Sequence, residues 1–305
     1  YRPYIWSCHY LYRNKRMKKQ KMLAQLSMVI TTMIWGITFV MVKDALNDAP
    51  PYMFASLRFG LAFVLGCIYV NKGIKDITSN EMYGGLICGF CLFVGYAFQN
   101  FGLMETSPSK SAFITSVSVI LVPIILVLFK LKKVNMRIWI AVVLAIIGLY
   151  ILLNPTGGGI NIGDLLTFGC AVSFAVHVIC QDRYLSFGAG ISRLFLTQMM
   201  FVTLFSCLGV FAFEGVIITI SERLITAILV TGIFATFVAI MFMVWAQTIL
   251  GPNQTAILLS LEPVFAALFS TFFAGEILGL YGWIGGMIVV LGVISSEISF
   301  SKKTV

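Results

Sequence analysis

The sequence predicts an all-α polytopic membrane protein, with ten transmembrane helices forming two inverted five-helix repeats. Three observations predict it. First, 59% of the 305 residues are hydrophobic and only 11% charged, with a mean hydropathy of +0.97. A soluble domain carries about 25% charged residues, so this chain has too little polar sequence to cover a water-facing surface. Second, ten apolar segments approach the roughly 20 residues that a spanning helix needs. Third, features of the first half recur in the second at a nearly constant offset.

The segments are 23–42, 52–70, 82–104, 110–129, 137–153, 163–184, 191–213, 224–249, 253–273 and 279–298. The connections between them are short and leave no room for a soluble domain. With the N-terminus inside, seventeen of the 21 Lys and Arg fall on the cytoplasmic side, seven of them before the first span. Three (Lys43, Lys110, Arg223) fall on the opposite side, and Arg58 lies within a span. The positive-inside rule therefore predicts a cell-membrane protein with both termini cytoplasmic.

The Gly-rich break Asn154–Gly163 separates the halves. The expected organisation is a basic N-terminal segment (1–22), a first repeat (23–153), a linker (154–162), a second repeat (163–298) and a tail (299–305). Pro108 matches Pro252, Ala112 matches Ala256 and Ser116 matches Ser260, all 144 residues apart; Asp44 matches Asp182 at 138. Five spans per half force opposite orientations, the plan of many secondary transporters. Residues 1–16 precede Met17, which opens a natural-looking start, so they are expected to be an upstream extension without a role in the fold.

Several functions are excluded. The net charge of +9 is concentrated beside the first span, where it suits a membrane surface rather than nucleic acid. Six of the seven cysteines sit in apolar runs as small hydrophobes, and Cys88-Gly-Phe-Cys91 lacks a redox-fold context. There is no phosphate loop and no zinc-protease motif, so neither an enzyme nor a cofactor is expected. His9 and His177, the two histidines, give no support to a histidine-based metal site.

Certain stretches carry a resemblance. They are Trp35-Gly-Ile-Thr-Phe39, Leu57-Arg58-Phe59, Gln99-Asn-Phe-Gly-Leu103 running into Thr106–Phe113, Trp245-Ala-Gln247, Leu261-Glu262-Pro263-Val264-Phe265, and Gly275-Glu276. In their order and spacing the chain resembles the EamA-type transporters of the drug/metabolite transporter superfamily, over residues 17 to 300. The resemblance implies two five-helix repeats around a central cavity and movement of small metabolites by alternating access. It does not supply a substrate.

Candidate pathway residues come from the spans. Ser111, Thr115 and Ser118 share one helical face of span 4, and their counterparts in span 9 are Thr255, Leu259 and Glu262. These hydroxyls either line a cavity or bond the carbonyl four residues back. A carboxylate at bilayer depth costs about 2.5–3.5 kcal/mol on insertion scales, which makes Glu262 a functional candidate; Pro263 is expected to interrupt the backbone beside it. Two roles are open to Glu262: proton or substrate binding, or a structural carboxylate at helix ends. Arg58 either snorkels to the interface or faces the cavity. Gln99, Gln198 and Gln247 suit the orientation of a polar substrate, and Trp35 and Trp245 are cavity aromatics or packing residues. His177 is expected to be structural.

The expected activity is secondary transport, as exporter or exchanger, of a small metabolite, amino acid or drug-like compound, driven by its own gradient or by protons. A flippase for a lipid-linked group and a non-transporting scaffold or sensor are the alternatives. The bilayer and a small molecule are the expected partners, and the sequence does not set the oligomeric state.

Overall fold

The computed structural model describes residues 4–106, 108–153, 161–273 and 279–297. Most of the expected linker, the Gly275-Glu276 pair and the tail lie outside the described residues. The described chain is helical: α1 (Tyr4–Ala45), α2 (Pro51–Val70), α3 (Ser79–Glu105), α4 (Pro108–Ser116), α5 (Ser118–Leu128), α6 (Met136–Leu153), α7 (Ile162–Ser186), α8 (Ile191–Gly209), α9 (Glu222–Leu229), α10 (Ala239–Leu259), α11 (Glu262–Phe273) and α12 (Leu280–Glu297). A π-helical stretch, Val230–Val238, joins α9 to α10, and another, Val210–Glu214, extends α8.

Seven apolar runs are long enough to cross a membrane, and Met136–Ile151 and Leu280–Ser295 are shorter apolar helices. This is a multi-pass membrane protein. The run Glu222–Phe269 has 48 residues. As one straight helix it would measure roughly 72 Å, against a hydrocarbon core of about 30 Å. Gly251 divides it, with φ 74° and ψ 176°, a conformation that glycine adopts without steric cost.

Helix starts follow from local sequence. Thr78 and Glu81 cap α3, and Asn161 and Asp164 cap α7, each by a reciprocal capping box. Pro51 opens α2, and the next two amides, of Tyr52 and Met53, each donate to the Glu214 carboxylate at 2.9 Å.

Two helices of the bundle are broken in mid-course. Val117 separates α4 from α5, and Ser260–Leu261 separate α10 from α11. Shorter i→i−3 bonds cross both breaks: Val117 N–H donates to Ile114, Ser260 N–H to Ile257 and Leu261 N–H to Leu258, each at 3.1 Å. Pro263 is therefore not itself the interruption. It occupies the second position of α11, where a helix has no intrahelical use for the missing N–H.

Helix α6 packs on α12, α3 on α7 and α8, α1 on α10, and α2 on α8. The α3–α8 contact is the closest kind that side chains allow. A Cβ added at Gly85 would lie 2.3 Å from Thr197 Cβ, and one at Gly89 would lie 2.8 Å from the Gln198 carbonyl oxygen. The small-xxx-small spacing of these glycines admits that approach.

Candidate functional site: a central cavity with two opposite charges

The helices enclose a cavity of about 60 Å³. One water needs about 10–15 Å³ on this scale, so the space admits several waters or part of a small solute. Its wall draws on α1, α2, α3, α4, α5, α7, α10 and α11, and is mostly apolar. Six of the residues expected from sequence line it: Trp35, Arg58, Gln99, Thr115, Ser118 and Glu262.

Arg58 is 4% exposed and does not snorkel. Its Nε donates to Thr236 Oγ1 at 2.7 Å, and its Nη2 reaches Tyr96 Oη at 3.4 Å. The guanidinium carbon sits 4.6 Å from the centre of the Tyr96 ring. Such a cation–π contact contributes about 2 kcal/mol when desolvated. In the adjoining π-helical stretch Ala239 N–H reaches back five residues to Phe234 as well as three to Thr236, and the Ala235 carbonyl accepts from Trp35 Nε1 at 2.7 Å. In the same stretch the Thr236 hydroxyl donates to the Thr231 carbonyl at 2.8 Å, which orients its oxygen toward Arg58.

Glu262 is 8% exposed and is the first residue of α11. A helix N-terminus favours a carboxylate there, by roughly 0.3–1 kcal/mol at an exposed site. Its carboxylate accepts no hydrogen bond and makes no ion pair among the described residues. The Gln99 side chain is likewise without a bonded partner there. Ser118 is the corresponding first residue of α5.

Five expected residues lie elsewhere. Gln198 sits behind the wall, accepting from or donating to His177 Nε2 at 3.1 Å. Gln247 accepts from Gln181 Nε2 and donates to the Val178 carbonyl. Trp245 packs against the apolar core. Thr255 donates to the Gly251 carbonyl four residues back, at 2.8 Å, and Ser111 is fully buried off the wall. The structure adds Tyr96, Thr38, Ser116, Phe174 and His177 to the wall. His177, expected to be structural, reaches the wall while bonded to Gln198 behind it.

Polar clusters close the bundle at both ends. At one, Asp48 holds Arg223 and Ser221, and Asp164 holds Lys110 and Thr106. At the other, Glu81 accepts from Arg193, Gly190 N–H and Thr78 N–H, and Asp182 pairs with Lys132. Lys110 and Lys132 are thus paired side chains.

The sequence model of the EamA-like transporter family matches residues 22–154 and again 161–296. The chain belongs to the EamA-like transporter family. This EamA-like protein is 33% identical over 278 residues to an uncharacterized transporter of Archaeoglobus fulgidus, covering 90% of this chain and 86% of that one. It is 26% identical over 164 residues to a probable amino-acid metabolite efflux pump of Escherichia coli, a match to 52% of this chain and 53% of that one. A solved crystal structure has the same fold, with a TM-score of 0.73 and 15% identity over 90% of the EamA-like chain and 96% of its own.

Proposed function

We propose that the chain is a secondary transporter that moves a small solute by alternating access through the central cavity, as exporter or exchanger. The observation that carries this reading is the cavity itself. It is buried at the centre of the bundle and receives functional groups from both halves of the chain, Arg58 and Gln99 from the first, Glu262 and His177 from the second.

The proposed architecture is ten spans in two inverted repeats in the cell membrane, with both termini cytoplasmic. Reading α4–α5 and the Pro252–Phe273 segment as spans 4 and 9, and splitting Glu222–Phe269 at Gly251, gives ten. The packing supports the inverted arrangement because it survives exchange of the halves. The contact of α3 with α7 has its counterpart in α10 with α1; that of α3 with α8 corresponds to the π-helical stretch with α2, and α4–α5 with α7 to α11 with α1. The two mid-helix breaks lie 144 residues apart, Val117 against Leu261, as do the first residues that follow them, Ser118 and Glu262. Some equivalent positions share their surroundings, since Thr115 and Leu259 both line the cavity, whereas Ser116 and Ala256 line it without their counterparts Ser260 and Ala112.

Purified protein reconstituted into liposomes tests this. Flux or counter-flow of some member of a panel of amino acids, nucleosides and cationic drugs is expected, measured with and without a pH gradient. Lipid scrambling without solute flux would instead favour a flippase. Among the described residues Arg58 is the single Lys or Arg on the cavity wall, which is sparse for a lipid phosphate. Proton coupling through Glu262 predicts that Glu262→Gln removes the dependence of flux on the pH gradient.

A further inference from the structure

The connection from α8 to α9 differs from those at 71–76 and 130–135, which carry lysines. Between Glu214 and Glu222 the chain reads Gly-Val-Ile-Ile-Thr-Ile-Ser and holds no charge. Phe211 and Phe213, on the π-helical end of α8, and Val216, Ile217 and Ile220 beyond it are each 65–79% exposed. The polar groups of the same segment turn the other way. The Glu214 carboxylate takes the Tyr52 and Met53 amides at the start of α2. Thr219 N–H donates to the Asp48 carbonyl at 2.8 Å, and Ser221 Oγ donates to the Asp48 carboxylate at 2.6 Å. What is left outward is apolar.

Two physical demands fix where such a segment can lie. A cluster of large apolar side chains held outward is disfavoured in water. The backbone is disfavoured in hydrocarbon, because Val216, Ile218 and Ile220 N–H make no hydrogen bond among the described residues. Lipid-exposed irregular backbone with unpaired groups does not occur within the bilayer core. Only the boundary between headgroups and acyl chains meets both demands. The preceding helix delivers the segment to that depth. The apolar run Ile191–Glu214 has 24 residues, about 36 Å as a helix against a core of about 30 Å, so its end emerges among the headgroups.

We propose that residues Phe211 to Ile220 dock on the lipid surface, with the backbone among the headgroups and the Phe, Val and Ile side chains in the acyl boundary. The occupant of this face is the bilayer that the two flanking spans already cross. Interfacial elements of this kind sit about 5–10 Å into the boundary. Through the Glu214 cap and the Asp48 clamp, that contact ties the lipid surface to the turn between α1 and α2.

The test places a reporter at either end of the segment, Phe213→Trp and Ile220→Trp, in full-length protein reconstituted into phosphatidylcholine vesicles. Wild-type emission is subtracted to remove the five native tryptophans. Phosphatidylcholine brominated high on its acyl chains is expected to quench both reporters about 2-fold or more better than lipid brominated near the chain ends. Iodide, present on both sides of the vesicle, should quench each reporter less than about half as well as it quenches free N-acetyltryptophanamide. Iodide quenching equal to that of the free amide at either end places that end in water and overturns the proposal. Stronger quenching by chain-end bromine overturns it too, since the backbone would then lie in the core. Reporters shielded from both iodide and bromine would give the face to a second copy of the chain, which overturns it equally. Each substitution reads its own end, so a variant that fails to fold leaves the other to decide. The readings are independent of whether the protein moves any solute.

Discussion

Arg58 is held in place by a hydroxyl that itself depends on an irregular helix. Thr236→Val keeps the volume but leaves Arg58 Nε without its 2.7 Å acceptor. A loss of about 1–3 kcal/mol is expected for the orphaned buried donor, measured by thermal unfolding in detergent. An unchanged midpoint would show that Tyr96 alone suffices. The amide pair Gln181–Gln247 gives a second residue-scale expectation. Gln247→Met should cost about 1–3 kcal/mol, because Gln181 Nε2 loses its acceptor. Adding Gln181→Met removes the orphan, so the double variant should be no less stable than the single one; strict additivity would refute the pairing.

Residue identity was legible in the sequence where the chemistry is rare. Glu262 and Arg58 stand out as charges within apolar spans, and both line the cavity. Their surroundings were not legible, since whether Arg58 snorkels depends on Thr236 and Tyr96, which no local pattern connects to it. Gln247 shows a different limit. An amide's type and its depth in a span do not fix which way it faces, and the partners that hold Gln247 off the wall, Gln181 and the Val178 carbonyl, lie on α7.

At the scale of elements, the helix contacts explain which glycines matter. Gly85→Ala places a Cβ 2.3 Å from Thr197 Cβ, against backbone that cannot yield without parting α3 from α8. Overpacking of this kind costs about 1–3 kcal/mol. Gly60→Ala is the control. Its added Cβ would find its nearest neighbour, Thr203 Cγ2, at an ordinary 3.7 Å, and the helix gains roughly 0.5–1 kcal/mol from the lost glycine freedom. Unfolding midpoints that move in the same direction for both would contradict the packing described for α3 and α8. The small-xxx-small spacing of Gly85 and Gly89 is visible in the sequence, and the helix they approach is visible only in the fold.

The element breaks were half legible. Gly251-Pro252 is a recognisable interruption, and the structure breaks there. The second break was placed at Pro263 because proline is conspicuous, whereas the turn falls on Ser260 and Leu261, which have no such signature. The equivalent break at Val117 carries no sequence mark at all.

For the whole molecule, ion pairs at the ends tie distant parts of the chain together. Asp48, in the turn between α1 and α2, accepts from Arg223 Nη2 at 2.7 Å, Arg223 Nε at 2.8 Å and Ser221 Oγ at 2.6 Å. The Arg223 hydrogen bonds, then that of Ser221, hold the Asp48 carboxyl below its ordinary 3.8. A depressed acid contributes stability that is fully present above its ordinary value and is lost as the pH falls through the lowered one. Asp48→Asn should therefore be less stable than wild type at neutral pH, and the two should converge in acid below 3.8. A gap of the same size in acid would mean that the charge of Asp48 is not what the clamp uses. The all-helical architecture and the family were legible from composition and span order; these end clusters were not, since Asp48 and Arg223 are 175 residues apart.

The hold on Arg58 also sets a schedule. Thr236 is 178 residues further along the chain, and Tyr96 is 38. At synthesis rates of about 5–20 residues per second, Thr236 emerges roughly 9–36 s after Arg58. Through that interval the arginine must enter or skirt the bilayer with the Tyr96 ring as its early companion. The order of arrival makes Tyr96 an escort during biogenesis as well as a wall of the finished cavity. A nascent first half deprived of it would hold Arg58 at the lipid interface until the second half arrived.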